Sequence, residues 1–216
     1  MSSAKKKPVS KDSFVKSINK KIDKDNKAFD AMSPSEKRVA IARDVLEQIK
    51  IKRLMPKFGT WLHKKGARNL FSKDLVKDNI EVKDALAGIK QCSGCAIGGM
   101  FMCAVERADK LKVSELEYAK DCAEYSDPIV VEEISEDDSF TYLKRFFSRD
   151  QLELIECVFE SNGGSHYDED AGDFALGVGS PSERMRLIME NIIVNKGTFK
   201  LNKLPVAVYT TPGFTG

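Results

Sequence analysis

A chain of 216 residues, 42% hydrophobic and 31% charged, has the length of one main domain with a tail and carries more charge than a fully ordered globule usually does. Its longest apolar run covers the eleven residues 95–105 and stops at Glu106, short of the roughly 18 to 20 needed to span a bilayer, and Lys5, Lys6, Lys7 and Pro8 are followed by no apolar stretch, so neither a membrane anchor nor a signal peptide is expected. The net charge of +2 hides a division: residues 1–112 hold 26 Lys and Arg against 13 Asp and Glu, and residues 113–216 hold 9 against 20, so either the basic half attracts a polyanion or an acidic protein, or the two halves face each other.

Residues 1–32 carry nine lysines and few large apolar groups, and are expected to be a disordered basic arm or a transient amphipathic helix. Ser33-Pro34-Ser35-Glu36 then combines an N-cap serine, a proline at the first helical position and a glutamate placed to close a capping box. The helix it opens is predicted to run to about Arg53, with Val39, Ala42, Leu46 and Ile49 on the inner stripe and Lys37, Asp44 and Lys50 in solvent. Pro56 is read as its stop, and Phe58 to Leu62 as the best strand of the first half. A helix over 82–89 leads through Gln91-Cys92-Ser93-Gly94 to a helix over 95–111 that is apolar on every side, the pattern of a buried central element.

Ser114-Glu115-Leu116-Glu117 reads as the start of another helix ending near Tyr125, and 129–131 as a short strand. Helices over 140–147 and 151–160 follow, the second with Leu152, Ile155, Val158 and Phe159 inward; 161–179 is a glycine-rich acidic loop. Ser180-Pro181-Ser182-Glu183 repeats the cap chemistry ahead of a helix over 183–195 with Gly197 as its stop, and 204–209 is a last edge strand. The predicted fold is mainly α, or α+β with a few short strands: a compact helical domain over 33–204, the arm over 1–32 and a loose tail over 205–216.

Five cysteines, an odd number scattered through apolar patterns, suit a reducing cytosol. Cys92-Ser93-Gly94-Cys95 is the one CxxC. Zinc would need two more ligands, and only His63, His166 and isolated cysteines are on offer. A redox or nucleophilic role has one physical argument, a Cys95 thiol in the first turn of a helix whose partial charge favours the thiolate; the alternative is that both cysteines pack where two helices meet. The four carboxylates of 168–173 lack the glycine and glutamate spacing of a calcium loop. No phosphate-binding loop, dinucleotide fingerprint, nucleophile elbow or zinc-protease helix occurs, and no cofactor or metal is expected.

The remaining signal is the run of cations over 50–77, opposed only by Asp74, with Phe58, Trp61 and Phe71 interleaved. Lys52, Arg53, Lys57, Lys64, Lys65 and Arg68 are the candidate contact residues, and together with the arm they make nucleic acid one expected partner and an acidic protein the other. Three segments, Cys92-Ser93-Gly94-Cys95-Ala96-Ile97-Gly98-Gly99, Tyr142-Leu143-Lys144-Arg145-Phe146-Phe147 and Arg184-Met185-Arg186-Leu187-Ile188-Met189-Glu190-Asn191-Ile192, resemble a group of uncharacterised proteins of bacteria and their phages. The resemblance spans roughly residues 35–200 and implies a prokaryotic or viral cytoplasmic setting and no activity. The expectation is a non-enzymatic cytoplasmic macromolecule-binding protein, a phage accessory or host-interaction factor, with a nucleic-acid-binding protein, a small enzyme or redox protein centred on Cys92 and Cys95, and a structural component of a larger assembly as alternatives.

Overall fold

The computed structural model describes residues 28–64, 80–108, 111–116, 134–160 and 180–201. The expected strands over 129–131 and 204–209, the acidic loop with His166, the tail from 205, and Lys65 and Arg68 lie outside the described residues.

Among the described residues the fold is mainly α: six α-helices and one 3-10 turn around a small three-stranded sheet. The first helix, α1 (Pro34–Lys50), begins where the sequence predicts. Ser33 accepts from the Glu36 amide and the Glu36 carboxylate accepts from the Ser33 amide at 2.8 Å, closing the box. Its inner face is turned from the predicted stripe: Ile41, Ala42 and Val45 are buried while Val39 and Leu46 are only partly so. Asp44, expected in solvent, is half-buried in an ion pair with Arg107. The packed body also reaches back past Ser33. Phe29, assigned to the arm by its sequence context, is fully buried, edge-on to Phe146 with ring centres 6.0 Å apart and beneath the cations of Lys37 and Arg107.

The sheet differs most from expectation. Residues 58–60 form a turn about Gly59, whose φ of +61° suits glycine, and the strands lie on either side of it: β1 (Leu54–Pro56) and β2 (Leu62–Lys64). After the short helix α2 (Val82–Ala87), β3 (Cys92–Gly94) enters between them, parallel to β1 and antiparallel to β2. Cys-Ser-Gly has little strand propensity; these residues are extended because two strands wait on either side.

The apolar helix α3 (Ala96–Ala108) is the central element, touching α1, α2, all three strands and the next two helices. Those are α4 (Glu136–Leu143), capped by Ser135, and α5 (Arg149–Glu160), with Leu152, Ile155, Val158 and Phe159 buried as predicted. Val113–Glu115 is a 3-10 turn followed by extended backbone at Leu116, so no α-helix starts at Ser114. The last helix, α6 (Pro181–Val194), has the second complete capping box and packs on α1, α5 and β1. Beyond it, residues 199 and 200 are held by side-chain amides. Gln151 bonds the Phe199 amide and carbonyl at 2.8 and 3.1 Å, and Asn191 bonds those of Lys200, both at 2.8 Å.

Candidate functional site

The basic region is organised by how α1 ends. Lys52 donates its amide to Ile49 and Arg53 to Gln48, both at 3.0 Å, which is a Schellman turn with Lys52 in the left-handed position at φ +60°. The turn points Arg53 inward. Its guanidinium pairs with both oxygens of Glu106 and also donates to the carbonyls of Leu86 (2.9 Å) and Ile89 (3.2 Å) and to the Gln48 amide oxygen (3.3 Å). The Glu106 hydrogen bond raises its pKa further. Arg53, expected from the sequence as a surface contact, is instead the clamp that joins α1, α2 and α3.

Lys52 and Lys57 remain exposed, and Lys64 is half-buried at the end of β2. Paired residues in a sheet share a face, so the register aligns Met55, Ser93 and His63 in one row across the three strands, on the side opposite buried Leu54, Cys92 and Leu62. Met55 is 39% exposed and Ile51, at the end of α1, is 57% exposed. The described part of the basic region is therefore a lip of two lysines with two exposed apolar side chains, beside a row of small and polar residues. Lys50, expected to add to it, is paired with Glu47 along its own helix. Pro56 has no amide to donate and ends β1, so a partner gains little from strand addition at that edge.

Of the aromatic residues interleaved with these cations, Phe58 and Trp61 pack against the core, and Phe71 lies outside the described residues. Phe58 lies 5.2 Å from the Phe159 ring, with the Arg184 guanidinium 4.7 Å from its own ring centre, and Trp61 stands edge-on to Phe140 at 6.3 Å. The turn carrying Phe58 is fastened by a hydrogen bond of 2.8 Å from the Gly59 amide to the Glu160 carboxylate. Both rings are partly buried and packed against the core, which leaves less of each for a base to stack on.

The CxxC lies in strand and helix cap together, and not where two helices meet. Cys92 is in β3 with its thiol against the Arg53 carbonyl (3.4 Å) and the Met102 sulfur (3.5 Å). Cys95 sits one residue before α3, its sulfur accepting the Gly98 amide at 3.4 Å as a helix cap and facing the Trp61 carbonyl at 3.8 Å. The cap favours a thiolate, but burial outweighs it and holds the Cys95 thiol up to about 12; burial likewise pushes Cys92 up to about 11. These are protonated, packed thiols with separate partners. Among the described residues no group of three or more His, Cys, Asp or Glu is placed to hold a metal ion.

Glycine accounts for the rest of that motif. A Cβ on Gly98 would lie 1.5 Å from the Trp61 carbonyl oxygen, and one on Gly94 would lie 2.6 Å from the same atom. In the other two segments Tyr142, Leu143 and Phe147, and Met185, Ile188, Asn191 and Ile192, are buried. These three segments are thus mostly core in this chain, with Lys144, Arg145 and Arg186 exposed, and the lip lies outside them.

A second electrostatic feature sits on α5. Glu156, half-buried, has its carboxyl pushed up to about 7 by burial and then by the neighbouring carboxylates of Glu136, Glu160 and Glu153. No helix among the described residues is long and apolar enough to cross a membrane. No known family model, curated protein or solved structure matches this chain.

Proposed function

We propose that this chain is a non-enzymatic binding protein of a bacterial or phage-infected cytoplasm, and that it captures an acidic protein surface with the lip formed by Ile51, Lys52, Met55 and Lys57. The observation that carries this reading is the juxtaposition of two exposed lysines with exposed Ile51 and Met55 around the end of α1. Cations beside apolar side chains suit a partner that offers both carboxylates and aliphatic groups, and charge complementarity of this kind sets the rate and selectivity of encounter. Lys52 adds to it, because a lysine held in a backbone conformation that glycine adopts more cheaply points to a use for its side chain. The two committed aromatic rings argue against nucleic acid as the principal partner, whereas the nine lysines of residues 1–32 argue for it, and a salt series separates the two.

The test is capture from bacterial lysate with the full chain and with a K52E/K57E/I51D variant, alongside binding to mixed DNA and RNA across a salt series. The same acidic protein recovered by the full chain and lost in the variant supports the reading. Steep salt-dependent binding to nucleic acid that survives the three substitutions overturns it in favour of the arm.

A further inference from the structure

We infer that two copies of this chain pair through α1, the two helices antiparallel about a two-fold axis that passes between Val39 and Ala40. A groove of about 440 Å³ runs between α1 and α6, with Val39, Ala40 and Ile193 as its apolar floor and Glu36, Arg43 and Lys196 at its rim. Val194, the next residue round α6 from Ile193, is 76% exposed. These apolar side chains gain from being taken out of water by a partner.

The charges identify the partner as a second copy. Glu36 and Arg43 lie on the face of α1 that lines the groove, about 10 Å apart along the helix axis, with Val39 and Ala40 between them. Glu36 is held in place by its capping box, accepting from the Ser33 amide at 2.8 Å and the Ser33 hydroxyl at 2.7 Å. Arg43 is exposed, and among the described residues no carboxylate pairs with it. An antiparallel two-fold brings Glu36 of each copy to Arg43 of the other, so a single contact makes two opposite-charge pairs. A parallel arrangement sets Glu36 against Glu36 and Arg43 against Arg43, and repulsion disfavours it. A uniformly acidic partner complements Arg43 but is repelled by Glu36. Lys196, the third charge at the rim, is exposed and long enough to turn into solvent. Beside the axis, Ala40 has a side chain small enough for the two helices to approach to about 8 Å. One helix pair with its flanking turns is a small interface, so the dissociation constant should be on the order of 10 µM.

The test is sedimentation of the full chain from about 1 to 300 µM, a range that brackets such a constant. The average mass should climb from the 24.1 kDa of one chain toward twice that value. R43E sets Glu36 against a second carboxylate in both pairs and should weaken association on the order of tenfold or more. A40K, in the half-buried groove floor, should abolish it; thermal melts close to that of the unsubstituted chain show that these variants have changed the contact and not the fold. An equimolar mixture of E36K and R43E should associate although neither does alone, because both opposite-charge pairs form again between the two. A chain that stays monomeric to the top of the range overturns the inference, and the groove then belongs to a different partner. Association that survives both R43E and A40K with unchanged melts overturns it too, since the copies then meet elsewhere. A mixture that stays monomeric while E36K and R43E both keep the unsubstituted melt overturns the antiparallel pairing; if E36K melts early through loss of its capping box, R43E and A40K decide alone.

Discussion

Gly98 and Gly99 are neighbours on α3 that meet different obstacles. A methyl group at Gly98 would collide with the backbone oxygen of Trp61 at 1.5 Å, and that atom is fixed because the preceding Thr60 carbonyl accepts the Cys95 amide and Leu62 is in the sheet. At Gly99 the nearest atom, at 2.7 Å, is the end of the Leu54 side chain, which can turn aside. Gly98→Ala should therefore cost about 3 kcal/mol or more, and Gly99→Ala about 1 kcal/mol or less once the better helix propensity of alanine is included; urea midpoints of the two variants check the contrast. Lys52 is the opposite case, a residue that the fold holds at a cost. Lys52→Gly should raise stability by about 0.5 to 1 kcal/mol through relief of the left-handed backbone, while weakening partner capture. Denaturation and capture measured on the same sample would show the two effects moving apart.

At the scale of elements, α5 makes the fold sensitive to pH. The folded chain holds the Glu156 proton more tightly than the unfolded chain does, because its carboxyl is raised from 4.5 to about 7. Its contribution is therefore most favourable below pH 4.5, is lost as pH rises from 4.5 to 7, and stays lost above that. Glu156→Gln should stabilise the protein by about 1 kcal/mol at pH 8, the full shift being reduced by the partial exposure of the site, and should have little effect near pH 4. Melting at the two pH values decides it. The elements themselves were legible in the sequence to different depths. The caps at Ser33 and Ser180 could be read because the capping box closes within three residues. The inner face of α1 could not, since it is set by Asp44 meeting Arg107 and by Arg38 donating to the carbonyls of Gly197 (2.6 Å) and Phe146 (2.9 Å), all remote in sequence. For β3 the reason is different: its conformation is imposed by β1 and β2 and is absent from its own three residues.

For the whole molecule, the division of charge was plain from composition, while the use of individual charges was not. Arg53 and Lys57 are four residues apart in the same basic run, yet one is a half-buried clamp and the other is exposed. That difference arises from the Schellman turn and from Glu106, which lies 53 residues further on. The same holds for Cys92 and Cys95, whose spacing suggests redox chemistry while burial pushes both thiols up.

The strand order β1, β3, β2 carries a consequence for how the chain comes into being. The first and second strands leave the ribosome close together but never pair with each other, and the slot between them stays open until residues 92–94 arrive. Until then each presents unmatched amides and carbonyls along an inner edge. A nascent or partly unfolded chain is thus most exposed to pairing with a foreign strand at this slot, and aggregation should begin there and not at the helices.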